Sequence, residues 1–373
     1  MVSPYSLTRP GGVQGQAIGL ATSLRRLGHE VTVVAPADDA RDVPAAAGAH
    51  FVVGPVVGVH ANGSVAPLSL WPAAAARAER FVRHGRFDVA HLHEPLAPVT
   101  GYGLALARPV PLVGTFHRAG VSRTARVTKP LLALALRRLS ARIAVSEAAR
   151  DTAERSYGGR YEVLFNGVDV ARFASATPLR DEQGVPVVLF LGRHEARKGL
   201  DVLLDAFAAL DRPAVLWVVG EGPGSESARR RHPPSDRVRW LGRIDDAEVA
   251  GRLAGADVLC APSLSGESFG VVLLEAMASG CAVVASDLEG YRAAAGGHAA
   301  LVPPGDVGAL TRALDEALAD AAEGRGRSSD AARAAAGEYA RAWSMDALAE
   351  RYLEVYERVV RAERGSDRGG RRP

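Results

Sequence analysis

Residues 266–280 read GESFGVVLLEAMASG, running from Gly266 through Glu267 and Glu275 to Gly280. They follow a short apolar strand, Asp257-Val-Leu-Cys-Ala-Pro262, and a loop holding Ser263, Ser265 and Gly266. A helix is expected to start near Phe269, apolar on most faces, with Glu275 as its one acid. On such a helix Glu267 and Glu275 stand roughly 12 Å apart. That is about the span from a hexose through a pyrophosphate to a ribose. Free N–H groups at the helix start can hold an anion between them. A carboxylate at each end can accept bonds from sugar hydroxyls. The competing reading is a buried helix whose first acid, Glu267, only answers the helix dipole. Glu275 sits amid Val272, Leu273, Leu274, Ala276 and Met277, and buried acids are rarely left without a partner.

The strand-loop-helix unit around this stretch repeats on both sides. In the second half, strands are expected at 187–191, 215–219, 238–241, 257–261, 282–285 and 300–302, with helices between. In the first half they are expected at 30–34, 51–53, 87–92, 111–115 and 142–145, interleaved with helices after Gly12, at 74–83, after Leu96, near 131–139 and from Ser146. Alternation of this kind means parallel sheets. Val2-Ser3-Pro4 reads as the tail of a first strand, either short or cut by a late start codon. The turn Asn166-Gly167-Val168-Asp169 ends the first series, and a linker rich in Ala, Pro and Asp runs to Pro186. Expected domains are 1–168, 169–343 and a helix over 344–364, with an Arg/Gly-rich disordered tail at 365–373.

Chemistry-bearing residues cluster where strands run into helices, the ends at which α/β sheets place ligands. Arg193 and Lys198, in Gly192-Arg-His-Glu-Ala-Arg-Lys-Gly199, suit a pyrophosphate leaving group. Asp245 is either an acceptor for the adjacent N–H groups of guanine or, with Glu248, a capping box. Pro10-Gly11-Gly12-Val13-Gln14 is a phosphate turn or merely a tight turn. G-x-G-x-x-G is absent, which disfavours an NAD enzyme, although Asp38 imitates its ribose acid. His91, His93 and Glu94 close one strand and His117 another. Two histidines and an acid suggest metal, but no further ligand stands at a readable spacing.

Glu, seven residues, Glu at the head of a Gly-flanked helix resembles the donor-site signature of retaining glycosyltransferases of family 4. The version here is similar to that of actinobacterial phosphatidylinositol mannosyltransferases. PYS, PGGVQ, HEP, TFH, RIAVS, NGVDV, FLGR, RKG and VVASD extend the resemblance over nearly the whole chain. It implies an α/β protein of two facing Rossmann-like domains, the GT-B architecture. A cleft would lie between them, and the C-terminal helix would cross back to the first domain. GDP-mannose would be the donor and phosphatidylinositol the acceptor, with no required metal. The resemblance places His117, Arg193, Lys198 and Glu267 in catalysis. Donor contacts would come from Gly12, Arg193, Lys198, Ile244, Asp245, Ser268, Phe269, Gly270, Val271 and Glu275. Acceptor contacts would come from Tyr5, Gln14, Asn62, Ser64 and Arg118.

The acceptor half departs from that pattern. In the loop Ala61–Trp71, family arginines stand as Pro67 and Ser69, and an aromatic stands as Ala61. Alternatives are therefore a paralogue acting on another lipid or a soluble inositol phosphate, a sugar-nucleotide epimerase, or a nucleotide-binding pseudoenzyme.

At 373 residues and 47% apolar content, two domains are the prior. No apolar run reaches the ~18 residues of a membrane span. The start of the chain shows no signal-peptide character, and Cys260 and Cys281 read as reduced core thiols of a cytosolic protein. Residues 1–165 carry 19 Lys+Arg against 11 Asp+Glu. Between Glu94 and Glu147 there is no acid, but there are Arg108, Arg118, Arg123, Arg126, Lys129, Arg137, Arg138 and Arg142. That field suits an anionic phospholipid surface, with Leu68, Leu70 and Trp71 as a shallow anchor, unless the charges are simply solvated. The expectation is a monomer at the inner face of the plasma membrane, with a nucleotide sugar and a lipid as partners and no nucleic acid.

Overall fold

The computed structural model describes residues 1–9, 11–61, 64–117 and 132–369. The chain divides into two compact units, Met1–Gly167 with Met345–Pro373, and Val168–Ser344. Each is an α/β layer structure built on a parallel sheet.

In the first unit, α1 (Gly12–Arg26), β1 (Val33–Ala35), β2 (His50–Val52), β3 (Val57–Ala61), β4 (Ser64–Leu68) and α2 (Pro72–His84) come first. Then follow β5 (Ala90–His93), α3 (Thr100–Ala107), β6 (Leu112–Phe116), α4 (132–137), β7 (Ala141–Ala144), α5 (Glu147–Tyr157) and β8 (Glu162–Val163). Strands β5, β6, β7 and β8 pair in that order, all parallel, and β1 pairs parallel with β2. Val2 joins the two sets by bridging Val34 on one side and Leu92 on the other. The order is therefore β2-β1-Val2-β5-β6-β7-β8, which reverses direction at Val2.

The stretch read as a loop from Ala61 to Trp71 is instead half of a hairpin. β3 and β4 pair antiparallel, with Val57 opposite Leu68 and Gly58 opposite Pro67. Pro67 masked this in the sequence, since proline cannot donate to a ladder and survives only on edge strands or at strand ends. Leu68 is buried, whereas Leu70 and Trp71 are 45% and 58% exposed.

The second unit holds α6 (Val170–Ala174), β9 (Val187–Leu191), α7 (Leu200–Ala208), β10 (Val215–Val219), α8 (Ser225–Arg231), β11 (Val238–Gly242) and α9 (Asp246–Gly255). It continues with β12 (Val258–Ala261), α10 (Val271–Ala278), β13 (Ala282–Ser286), α11 (Glu289–Ala295), β14 (Ala299–Val302), α12 (Val307–Glu323) and α13 (Asp330–Arg341). The sheet order is β11-β10-β9-β12-β13-β14, every pair parallel. Helices cover such a sheet on both faces, so its central strands read as unbroken apolar runs. Val-Leu-Trp-Val-Val in β10 is buried throughout.

The last helix, α14 (Met345–Gly369), belongs to the first unit. Leu348, Tyr352, Val355 and Val359 recur at helical spacing and bury against Leu20 and Leu24 of α1 and Val113 and Ile143 of the sheet. Each such side chain contributes about 1.5–3 kcal/mol. The helix runs five residues beyond Arg364, where a disordered tail was expected to begin. Once a helix is nucleated, each added residue gains a bond, so Gly365 alone does not stop it. Residues 370–373 lie outside the described residues.

Candidate active site

In the second unit the sheet changes direction between β9 and β12, the place where doubly wound sheets bind ligands. The loops leaving those two strands carry Arg193, Glu195, Arg197 and Lys198 on one side, and Ser263 and Glu267 on the other. They touch through their backbones. Leu264 N donates to Arg197 O at 2.7 Å. Gly199 has φ +69°, and a Cβ there would stand 2.0 Å from the Pro262 carbonyl oxygen. Only glycine satisfies both conditions.

Glu267 is not on the helix. α10 starts at Val271, with Gly270 as its N-cap at φ +104°. The helix therefore begins two residues later than Phe269, and the position before it is reserved for glycine, because a Cβ at Gly270 would run into the ring of Tyr291. Glu267 lies in the loop before it, almost enclosed, with 11% of its side chain exposed. Its Oε1 accepts from Lys198 Nζ at 2.7 Å, Ser263 Oγ at 2.9 Å and Arg197 Nη1 at 3.3 Å. Because Ser263 gives its proton to Glu267, the Tyr291 hydroxyl, 2.9 Å from Ser263 Oγ, is the donor in that pair. All of these bonds fall on Oε1.

Glu195 was not singled out by the sequence, and it organises the cations. Its side chain is 5% exposed and lies 2.9 Å by Oε1 from Arg193 Nε and 3.0 Å by Oε2 from Arg197 Nε. A carboxylate holding two guanidinium groups by their inner nitrogens leaves for a ligand the outer N–H groups of Arg193 and those of Arg197 that Glu267 does not take. The signal was an acid set between cations in an otherwise basic turn. Neighbouring His194 is buried, its Nδ1 2.7 Å from Ser225 Oγ.

Glu275 lies on α10 and is partly exposed. Burial pushes its carboxyl up to about 7, with Arg172 pulling it down and Asp246 pushing it further up. Asp245 is exposed at the end of β11 and caps α9, its Oδ1 accepting from Glu248 N at 2.8 Å. Ile244 beside it is half-buried, as are Ser268 and Val271, whereas Phe269 is buried against Trp343.

In the first unit the corresponding reversal lies at Val2 and β5. Gly12 begins α1 with open space around it. Gln14 is buried, and its amide donates to Arg9 O at 3.0 Å and Ser6 O at 3.3 Å, so it holds the loop together. Tyr5 pairs through its backbone with Leu68. Asp38, the imitation of a ribose acid, is clamped by Arg9 through two 2.8 Å bonds that hold its carboxyl below the usual range. Asn62 and Arg118 lie outside the described residues, and Ser64 opens β4.

His91 and His93 close β5 and are 2% exposed each. Their rings stack at 4.4 Å. His91 has both nitrogens engaged, Nδ1 with Tyr356 Oη and Nε2 with Thr115 Oγ1, each at 2.7 Å. Tyr352 reaches the same Thr115 hydroxyl at 2.8 Å. His93 Nδ1 meets His117 Nε2 at 2.9 Å, and the backbone N–H of His117 donates to Glu94 Oε1 at 2.8 Å. Burial pushes His117 down to about 3 and His91 and His93 well below the usual imidazole range. The strand pattern marked these histidines, but the tyrosines of α14 carried no sequence signal.

Comparison with known proteins bears on both units. Glycosyltransferase Family 4 matches residues 10–172, and Glycosyl transferases group 1 matches residues 185–320. The phosphatidyl-myo-inositol mannosyltransferase of Mycolicibacterium smegmatis is 41% identical over 96% of this chain and 93% of its own length. Its Mycobacterium tuberculosis counterpart is 40% identical over 96% of each. The D-inositol 3-phosphate glycosyltransferase of Kineococcus radiotolerans is 32% identical over 96% of this chain and 93% of its own length. In fold, the chain matches a Rickettsia africae glycosyltransferase with a TM-score of 0.74 at 18% identity, covering 96% of this chain and 97% of that one. It matches Anabaena HepE in complex with UDP and glucose with a TM-score of 0.73 at 23% identity, covering 95% and 98%. The chain belongs to glycosyltransferase family 4, with the two Rossmann-like units of the GT-B fold.

Proposed function

We propose that this glycosyltransferase moves mannose from GDP-mannose to the inositol of phosphatidylinositol, with retention at the anomeric carbon, at the cytoplasmic face of the membrane. The single observation that carries the reading is the Lys198–Glu267 cluster at the reversal of the second sheet. Relatives named phosphatidyl-myo-inositol mannosyltransferase, 41% and 40% identical over 96% of this chain, support mannose and the lipid acceptor.

In this reading Arg193, Arg197 and Lys198 surround the pyrophosphate. Glu267 Oε1 is saturated by donors, so Oε2 is the oxygen that accepts from a sugar hydroxyl. Glu275 accepts from the ribose. Gly12 lies against the pyrophosphate, and His117 bonds the transferred sugar. As the bond from the anomeric carbon to the diphosphate breaks, negative charge builds on the leaving oxygen, where preorganised cations lower the barrier most. The inositol oxygen bonds that carbon and passes its proton to the leaving diphosphate oxygen. Attachment to the membrane is peripheral in this reading; among the described residues no helix is long and apolar enough to cross a membrane.

A matrix of GDP- and UDP-sugars against phosphatidylinositol vesicles and a soluble inositol phosphate tests this. Turnover is expected with GDP-mannose and the lipid. Turnover only with a UDP-sugar, or only with the soluble acceptor, would replace the reading by a paralogous one. Release of altered sugar without any acceptor would indicate an epimerase.

A further inference from the structure

His93 is buried next to His117, and its two ring nitrogens differ sharply. Nδ1 lies 2.9 Å from His117 Nε2, while Nε2 is buried with no hydrogen-bond partner among the described residues. The 2.9 Å contact requires one proton between two nitrogens. If His117 Nε2 donated it, a neutral His93 would carry its own proton on Nε2, leaving a buried N–H that faces no acceptor. If His93 Nδ1 donates it, His93 Nε2 is only an unused lone pair. An orphaned buried N–H is the rarer and costlier defect. The second arrangement therefore prevails, and His117, accepting at Nε2, must bear its proton on Nδ1.

The ring of His93 has little freedom to do otherwise. It stacks between His91 at 4.4 Å and His117 at 5.1 Å, with interplanar angles of 21° and 23°. His91 is fixed in turn by Tyr356 and Thr115, and Thr115 by Tyr352. On the other side, the bond from the His117 backbone to Glu94 fixes the main chain that carries the ring. From this geometry we infer that His93 is a positioning residue that sets the tautomer of His117, so that His117 presents a neutral Nδ1–H donor to a hydroxyl of the transferred sugar. The functional half rests on His117 contacting that sugar. Burial keeps both imidazoles uncharged at neutral pH, so the choice of nitrogen, not the charge, is what His93 controls.

Long-range 1H–15N spectra of the intact protein read the tautomer directly. The expected result is His117 protonated on Nδ1 and bare on Nε2. His93→Leu, which keeps the volume and loses the donor, is expected to mix the His117 tautomers. Its kcat with GDP-mannose and phosphatidylinositol should fall at least tenfold, while GDP affinity by calorimetry stays within twofold. His93→Asn, which can return an N–H near the Nδ1 position, should recover part of the rate and the single tautomer. An Nε2–H tautomer of His117 in the wild-type protein overturns the assignment, whether or not the variants fold. So does a folded His93→Leu with wild-type kcat. Wild-type turnover by His117→Ala would instead overturn the sugar contact, and with it the functional half, while leaving the spectra as they stand.

Discussion

Lys198 Nζ and Glu267 Oε1 lie 2.7 Å apart, although they come from loops separated by three strands of sequence. Their pairing keeps a cation and an acid, 22% and 11% exposed, at the reversal of the sheet. In the proposed reaction the acid holds the ammonium where a leaving phosphate needs it, and the ammonium in turn keeps the carboxylate aimed. Lys198→Ala is expected to lower kcat at least tenfold, about 1.4 kcal/mol of transition-state stabilisation. Steady-state kinetics check this, and wild-type turnover in a folded variant would remove the pair from the chemistry.

Gly199 sets the approach of those two loops. With φ at +69° and the Pro262 oxygen 2.0 Å from where a Cβ would go, alanine can enter only by separating them. Gly199→Ala should cost about 1–3 kcal/mol from the backbone conformation alone, seen as a lower Tm. It should also lose GDP affinity, because Lys198 is the preceding residue. An unchanged Tm would show that the loops separate freely.

Glu275 makes stability depend on pH. Its carboxyl is raised from 4.5 to about 7 by burial. Between those values the folded chain holds a proton that the unfolded chain has released, so the contribution of this group falls as pH rises, and above about 7 it falls no further. Glu275→Gln, uncharged throughout, should raise Tm at pH 8 relative to wild type and leave it unchanged near pH 4. The side chain is partly exposed, so the gain stays below the ~3 kcal/mol of the full shift. The same change should cost at least tenfold in turnover, through the lost ribose contact. Thermal scans at both pH values decide the first claim: an equal Tm difference at each would mean that burial is not what Glu275 experiences.

The apolar runs of β9, β10 and β12 and the glycines that follow them made the second unit legible, because a strand buried on both faces leaves few other readings. What the sequence hid is the loop chemistry. The Glu267–Glu275 span is reckoned along a helix expected to start near Phe269, but Gly270 is left-handed at φ +104° and the helix begins only at Val271; that only glycine fits there depends on Tyr291, more than 20 residues later. The partners of His91 were equally hidden. Tyr352 and Tyr356 meet it from more than 250 residues away, and nothing in the periodicity of α14 distinguishes a packing tyrosine from one that bonds a histidine.

Asp245 serves as a helix cap, and that does not exclude a contact to the base. Asn caps a helix about as well as Asp, but its amide cannot offer two acceptor oxygens to the adjacent N–H groups of guanine. GDP is expected to bind more tightly than UDP, and Asp245→Asn to narrow the gap without lowering Tm. Calorimetry with both nucleotides checks it. Equal wild-type affinities, or a gap untouched by the substitution, would leave Asp245 as a cap only.

Membrane attachment is expected from charge and from two exposed apolar side chains. Of the eight cations between Glu94 and Glu147, Arg108 is bound to Glu363 and Arg142 to the Leu136 carbonyl, so these two hold the fold. Arg118, Arg123, Arg126 and Lys129 lie outside the described residues, and Arg137 and Arg138 are exposed. Leu70 and Trp71 stand exposed at the start of α2, which carries Arg77, Arg80 and Arg83. Each cation near an anionic surface adds about 1 kcal/mol, and exposed charges are screened beyond roughly 8 Å at physiological salt. Binding to phosphatidylinositol vesicles should therefore weaken steeply between low and physiological salt. Replacing Arg123, Arg126 and Lys129 together by Ser should reduce lipid-acceptor turnover more than GDP affinity. Leu70→Ser with Trp71→Ser should weaken the salt-resistant remainder. Co-sedimentation with neutral and anionic vesicles separates the outcomes. Equal binding to both, or to neither, would mean a solvated basic face, and would move the acceptor from a membrane lipid towards a soluble molecule.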